Sequence, residues 1–100
     1  MDIKLRQELL DFRDYRGWRK LHTGPNIAHA LMVEAAELNR LFEWGGQPTS
    51  EVDLINLREE IADIAIYLEY LLDLYKIDIN KAVSEKIMKN AIKYPVVNEW

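Results

Sequence analysis

Acidic side chains interrupt a stretch of the sequence that otherwise has the pattern of a buried helix face. Glu60 and Asp63 lie one helical turn apart, beside apolar residues that recur at alternating three- and four-residue steps. Those apolar residues are Leu54, Leu57, Ile61, Ile64, Leu68 and Leu71. Two carboxylates so close together repel each other, and partial burial raises the cost. A divalent cation with oxygen ligands is the simplest group that would relieve the repulsion.

The preceding helical stretch repeats this arrangement. Glu34 lies on its apolar face and Glu37 follows one turn later. The rest of that face consists of Ile27, Leu31, Leu38 and Leu41. Two antiparallel helices with such pairs would bring four carboxylates into one small volume. The set suits Mg²⁺, which prefers oxygen ligands and often shares substrate phosphates. Such an ion can neutralise phosphoryl charge and help to activate water.

Two other interpretations of the acids are open at this point. The chain has 17 acidic residues, so pairs at this spacing also arise by chance on solvated helix faces. The occurrence of two pairs, both at or beside apolar seams, favours the metal site. A carboxylate-bridged di-iron bundle would need a histidine three residues after a glutamate, and neither His22 nor His29 has that spacing.

A stripe of nitrogen donors lies nearer the carboxyl end. Lys86, Asn90 and Lys93 follow one another at four- and three-residue steps, with Lys89 beside them. By spacing alone, this stripe is an ordinary solvated helix face. If it faced the acids across a pocket, it would bind phosphate groups that the metal does not reach.

The composition is that of a globular chain with one modest core. Of 100 residues, 49% are hydrophobic and 30% charged, and the net charge is −4. We therefore expect one domain over residues 1–100, with no basic surface for a nucleic acid polymer. The absence of cysteine excludes disulfides and thiol chemistry. Acids near the start and within the most apolar stretch argue against a signal peptide and a membrane span, so we expect a cytoplasmic protein.

Apolar periodicity and helix-breaking residues predict four helices joined by short loops. The expected starts of the last three helices are Thr23 or Gly24, Thr49 or Ser50, and Asp78, and Ser50 with Asp53 resembles a capping box. The expected helices are residues 2 to about 20, about 24 to 44, about 50 to 75 and about 79 to 94.

The third predicted helix is apolar around most of its circumference between Ile61 and Tyr75, apart from a narrow strip at Glu69 and Asp73. A chain of this length cannot cover such a helix by itself. The predicted fold is therefore an all-α four-helix bundle that is completed by oligomerisation.

Trp18, near the end of the first predicted helix, is interpreted as a core residue.

The order of these residues resembles a known enzyme family. The elements are Trp18, His22-x-x-Pro25-Asn26, Glu34-x-x-Glu37, Phe42-x-Trp44, Glu59-Glu60-x-x-Asp63-x-x-x-Tyr67 and Lys86-x-x-x-Asn90-x-x-Lys93-Tyr94-Pro95. The chain is similar, over residues 12–95, to the all-α MazG-like nucleoside triphosphate pyrophosphohydrolases, and most of all to their dCTP pyrophosphatase branch. The resemblance implies a MazG-like fold and Mg²⁺-dependent hydrolysis of a nucleoside triphosphate to the monophosphate and pyrophosphate, with Mn²⁺ as a substitute. It also implies a house-cleaning role in the nucleotide pool.

The resemblance further implies roles for single residues. Glu34, Glu37, Glu60 and Asp63 would hold the metal, with Glu34 and Glu37 catalytic and Glu37 orienting or deprotonating the attacking water. The implied substrate contacts are Lys86, Asn90, Lys93 and Tyr67 with the phosphates, and His22, Asn26 and Trp44 with the base and sugar. The family is typically a dimer of dimers with sites where subunits meet, so a homotetramer is expected.

Three positions depart from the family pattern. Val33 and Ala36 stand where relatives often have glycine, and His29 stands in a stretch that is usually aliphatic. His29 lies five residues before Glu34, close enough to alter base preference. The expected substrate is dCTP or a modified pyrimidine deoxynucleotide, and dUTP or an oxidised purine nucleotide is the alternative. A non-catalytic helical oligomer is the alternative from another class of protein.

Overall fold

The computed structural model describes residues 1–43 and 46–97, and within these ranges all regular structure is helical. The elements are α1 (Ile3–Tyr15), a 3₁₀ turn (Trp18–Leu21), α2 (Gly24–Arg40), α3 (Glu51–Tyr75) and α4 (Ile79–Lys93). The predicted all-α fold with four helices is confirmed. Across the described ranges, no helix combines the length and apolar character needed to cross a bilayer. The assignment of residues 1–100 to one domain stays a prediction.

Side-chain caps set the start of each helix. Asp2, Thr23, Ser50 and Asp78 each accept a hydrogen bond from the backbone N–H three residues later, at 2.8, 3.3, 3.0 and 3.2 Å. Such caps satisfy N–H groups that have no partner within the first turn. The predicted starts of the last three helices are confirmed.

Two helix ends differ from the prediction. The first helix ends at Tyr15, because Gly17 adopts a left-handed conformation with φ of 68° and redirects the chain into the 3₁₀ turn. The second helix ends at Arg40, short of the predicted end at Trp44. Trp44 itself lies outside the described residues.

Antiparallel packing of α2 against α3 forms the main helix pair. Ile27 on α2 is its most buried residue, with 1% of its surface exposed. A side chain at Gly24 would overlap the Tyr75 hydroxyl, so glycine allows α2 to begin against the end of α3. This close pairing determines which side chains of the two helices meet.

The predicted apolar seam of α3 is only partly buried in the single chain. Leu54, Ile61 and Leu68 keep 46%, 51% and 38% of their surface exposed in the single chain. The buried residues of α3 are instead Glu69, Tyr70 and Leu72. The strip that contains Glu69 is buried because α1 covers it and supplies arginines to its acids.

The fourth helix makes almost no contact with the other described helices. None of its residues is buried, and Ile87, Met88 and Ile92 are 63%, 68% and 83% exposed. The radius of gyration is 17.1 Å, against about 13 Å for a compact chain of 100 residues. The expectation that other subunits cover these apolar surfaces stays a prediction.

Candidate metal centre and adjoining cavity

Three carboxylates from α2 and α3 converge at the centre of the helix pair. One oxygen from each of Glu34, Glu60 and Asp63 lies within 4.8 Å of the other two, and all three side chains are half-buried. Oxygens that share one divalent cation lie up to about 4–5 Å apart, since each bond measures about 2.0–2.6 Å. The separation therefore fits a shared hard cation.

The electrostatics of Glu60 also fit such an ion. The pKa of its carboxyl is raised by the adjacent Glu34 carboxyl, with which it can share a proton, by burial and by the negative charges around it. Its Oε2 atom is buried and has no hydrogen-bond partner. An unpartnered buried oxygen is costly in a folded protein, and a bound cation would satisfy it.

Glu37 lies one turn beyond Glu34 and outside the three-acid cluster. Arg40 binds its carboxylate from the same helix, with Nη1 at 3.2 and 3.4 Å from the two oxygens. The Glu37 charge nevertheless contributes to the raised pKa of Glu60. The structure thus brings together three of the four predicted ligands, and a metal contact from Glu37 stays a prediction.

A cavity of about 230 Å³ lies beside Asp63. Aromatic rings from α1, the 3₁₀ turn and α3 form most of its wall. The lining residues are Leu9, Phe12, Trp18, His22, Asp63, Ile66, Tyr67 and Tyr70. Such rings favour a flat ligand, because they offer faces and edges for stacking. The cavity and the acids could therefore hold one ligand that joins a planar ring to an anionic group.

His22 follows the 3₁₀ turn and contributes its imidazole to this cavity. Burial lowers the pKa of the ring, and the nearby Arg13 charge lowers it further. The ring is therefore neutral at neutral pH, with one donor and one acceptor nitrogen. Its Nδ1 atom is buried without a partner. Of the predicted substrate-binding residues, His22 and Tyr67 both line the cavity.

Asn26 has a role that the sequence analysis does not include. Its side-chain amide donates a hydrogen bond of 2.9 Å to the carbonyl oxygen of Leu21. This bond ties the start of α2 to the 3₁₀ turn that precedes His22. A direct contact of Asn26 with base or sugar stays a prediction.

The predicted phosphate-binding stripe is not brought to the acids within one chain. Lys86, Asn90 and Lys93 lie on α4, which barely contacts the helices that carry the acids. The Nζ atom of Lys93 lies 5.3 Å from the ring centroid of Tyr94, on its own segment. The predicted base contact of Trp44 lies outside the described residues.

Part of the cavity wall comes from residues to which the sequence pattern gives no role in a site. Trp18 is 41% exposed and lines the cavity, so its interpretation as a core residue is wrong. Phe12 and Tyr70 line the same cavity. Tyr70 could have been found from its place three residues after Tyr67, on the same helix face. The position of Trp18 depends on the turn at Gly17 and has no comparable signal.

Comparison with known proteins finds close relatives. No protein-family model matches the chain. It is 36% identical to dCTP pyrophosphatase 1 of Bos taurus over 92 residues, and 34% identical to the Homo sapiens protein of that name over 91. The aligned region is 86% and 85% of this chain, and the chain spans about half, 54%, of each relative. A pyrophosphatase from Archaeoglobus fulgidus of known crystal structure is 39% identical with a TM-score of 0.80, covering 93% of this chain and 91% of that one.

Proposed function

The chain belongs to the all-α, MazG-like pyrophosphatases, and on that premise we propose that it hydrolyses a nucleoside triphosphate to the monophosphate and pyrophosphate. The observation that carries the proposal is the cluster of Glu34, Glu60 and Asp63 beside an aromatic cavity. One nucleotide can use both features, because its phosphates need cationic partners and its base needs flat apolar walls.

The three clustered acids would hold a divalent cation, Mg²⁺ by preference and Mn²⁺ as a substitute. When bound, the ion would neutralise phosphoryl charge and lower the pKa of a coordinated water. Asp63 belongs to the acid cluster and also lines the cavity. It therefore marks where the triphosphate would extend from the bound base toward the metal. A bound cation would relieve the repulsion among the carboxylates and would give the buried Oε2 atom of Glu60 a partner.

Glu37 would orient the attacking water and accept its proton. It lies one turn from Glu34, and its side chain is 43% exposed, so it can rotate away from Arg40 toward the phosphate. The ion pair with Arg40 is exposed and therefore weak. Glu37 is acceptor-only when ionised, as a general base requires.

The cavity would bind the nucleobase, with dCTP or a modified pyrimidine deoxynucleotide as the preferred substrate. The relatives named dCTP pyrophosphatase support this choice. A neutral His22 offers one donor or one acceptor to the edge of a base, and Trp18 and Tyr67 offer ring faces or edges. The alternative is the same reaction on dUTP or an oxidised purine nucleotide.

The phosphate-binding stripe on α4 would act within a homotetramer. Lys86, Asn90 and Lys93 are separated from the acids of their own chain, and α4 has exposed apolar residues that a neighbouring subunit could cover. Packing of α4 against another subunit would bury that surface and bring donors toward an acidic cluster. Removal of the stripe should therefore raise KM for the triphosphate.

The deciding experiment incubates the purified protein with Mg²⁺ and a panel of canonical and modified nucleoside triphosphates, and resolves pyrophosphate from orthophosphate. Pyrophosphate in equal amount to the monophosphate is the expected result, with dCTP or a modified relative ranked first. Orthophosphate release would contradict the proposed cleavage site. A folded sample that is inactive on the whole panel would favour the non-catalytic helical oligomer.

A further inference from the structure

Tyr70 lines the aromatic cavity and packs against two other side chains of its wall, His22 and Tyr67. It exposes 3% of its surface. Its ring centroid lies 4.6 Å from that of His22, with the planes 36° apart, and 6.2 Å from that of Tyr67, with the planes 75° apart. Neither the sequence pattern nor the family resemblance assigned this residue a role. Its contacts link two parts of the cavity that come from different segments of the chain.

Arg13 supports Tyr70 from α1. Its guanidinium carbon lies 5.7 Å from the Tyr70 ring centroid, and the residue is 4% exposed. Asp14 accepts a hydrogen bond from its Nε at 2.9 Å, and Asp73 accepts one from its Nη1 at 3.1 Å. These bonds hold the guanidinium in one place. Tyr70 is consequently packed against a fixed group and has little freedom to move.

His22, by contrast, has few means of orienting its own ring. The direction of a functional imidazole is usually set by a hydrogen bond from the ring nitrogen that does not contact the ligand. The Nδ1 atom of His22 is buried without such a partner. The residue also follows a four-residue 3₁₀ turn instead of belonging to a long helix. The contact with the Tyr70 ring is therefore an interaction that can hold the imidazole in place.

We propose that Tyr70 is a positioning residue that fixes the imidazole of His22 and thereby sets which nucleobase the cavity accepts. The inference rests on the proposed function, since it concerns the base pocket of that reaction. It predicts that base selectivity depends on the aromatic ring of Tyr70 and does not depend on its hydroxyl group. Tyr70→Phe should retain base selectivity and Tyr70→Leu should lose it.

The test compares these two variants with Leu72→Ala. Leu72 is buried on the same helix, two residues further and on nearly the opposite face, so its truncation lowers stability without touching the cavity. The first readout is the ratio of kcat/KM for the best and second-best nucleotide. In Tyr70→Leu we expect a fall of about three- to tenfold, mostly through KM, from the loss of one aromatic contact. Tyr70→Phe and Leu72→Ala should keep the ratio.

The second readout is the NMR signal of the His22 ring, which needs no activity. The chain has two histidines, so a His29→Gln variant assigns the signal. The signal should shift in Tyr70→Leu, because the ring current of the tyrosine is lost, and it should stay within error in Leu72→Ala. Tyr70→Phe should resemble the wild type.

Each outcome bears on a separate part of the inference. An unchanged His22 signal in Tyr70→Leu would show that Tyr70 does not position the imidazole. A shifted signal with unchanged selectivity, in an active enzyme, would overturn the role in base choice. Equal loss of selectivity in Leu72→Ala would mean that Tyr70 acts only through stability. A wild type that is inactive on every nucleotide would overturn the proposed function and the role in base choice, while the NMR comparison would still decide the contact.

Discussion

Both halves of α3 carry acidic residues, Glu60 and Asp63 in the first half and Glu69 and Asp73 in the second. Within the described ranges, only the acids of the second half are paired with arginines. In the second half, Glu69 is bound by Arg6, with Nε to Oε2 at 2.6 Å, and Asp73 is bound by Arg13 at 3.1 Å. In the first half, Glu60 and Asp63 face Glu34, and none of the ion pairs among the described residues includes any of the three. Glu69 and Asp73 therefore have a structural role, because arginines neutralise their charges. Glu60 and Asp63 are candidates for binding a ligand, because no such partner faces them among the described residues.

The difference is visible in the acidities of the two sites. Burial alone would raise the pKa of Asp73, but the hydrogen bond from Arg13 and the charges of Lys76 and Arg13 outweigh it and hold the pKa below its ordinary value. The pKa of Glu60 moves the other way, because Glu34 and burial favour its protonated form. Four acids of α3 therefore divide into a pair that arginines neutralise, Glu69 and Asp73, and a pair with no ion-pair partner among the described residues, Glu60 and Asp63.

Replacement of an acid in the first half should have the largest effect. Glu60→Gln should reduce turnover about a hundredfold or more, because it removes a proposed metal ligand, and a bound ion would stabilise transition-state charge by several kcal/mol. The metal-free variant should melt no lower than the wild type, since like-charge repulsion is relieved. Pyrophosphate release and thermal melting measure the two quantities.

Glu59→Gln is the matched control, because Glu59 is the exposed neighbouring acid and has no place in the cluster. It should keep the wild-type rate. A similar loss of rate in both variants would remove the distinction between the clustered acids and the surface acids.

Loss of a counter-charge in the second half should lower the stability of the fold. Arg13→Gln should cost about 3 kcal/mol, the lower end for a broken buried ion pair, because the Asp73 side chain keeps 20% of its surface exposed. The free energy of unfolding comes from urea denaturation. Arg40→Gln breaks the exposed pair with Glu37 and should cost less than about 1 kcal/mol. Equal costs would contradict the structural role assigned to Arg13.

Metal ions should stabilise the protein through the cluster of Glu34, Glu60 and Asp63, and the acids in the second half of α3 should not contribute. Mn²⁺ or Mg²⁺ at a hundred times its Kd should add about 2.7 kcal/mol by mass action, which is observed as a rise in melting temperature. Asp63→Asn should abolish that rise. Asp73→Asn should retain the rise, although its melting temperature without metal should be lower than that of the wild type. A metal response that survives in Asp63→Asn would place the ion elsewhere.

Acid should destabilise the protein through the second half of α3. Asp73 is ionised in both folded and unfolded chains above its ordinary pKa of 3.8, so its stabilisation is complete there. As the pH falls, the unfolded chain takes up the proton first, and the stabilisation is lost as the pH passes through the lower folded-state pKa. Asp73→Asn should therefore lose less stability than the wild type as the pH falls below the ordinary carboxyl pKa of 3.8. Urea denaturation at each pH measures this, and parallel curves for the two proteins would contradict it.

Local features of the structure were predictable because they depend on residues a few positions apart. The caps at Thr23, Ser50 and Asp78 follow from side chains that can reach an N–H three residues away. The acid pairs of α2 and α3 follow from the helical period, and so does the approach of Glu34 to Glu60 once the helices are antiparallel. The cavity was harder to predict, because its wall combines three segments of the chain.

The sequence by itself determined four helices, the position of the acid clusters on two of them and the resemblance that names the family. Only the tertiary structure decided that α1 lies over the second half of α3, since that contact joins Arg6 to Glu69 and Arg13 to Asp73 across 63 and 60 residues. Helical periodicity states which residues share a face, but the pairing of faces depends on packing and charge between distant segments. That pairing leaves Glu60 and Asp63 without a counter-charge among the described residues, and so makes them, with Glu34, the candidate metal site.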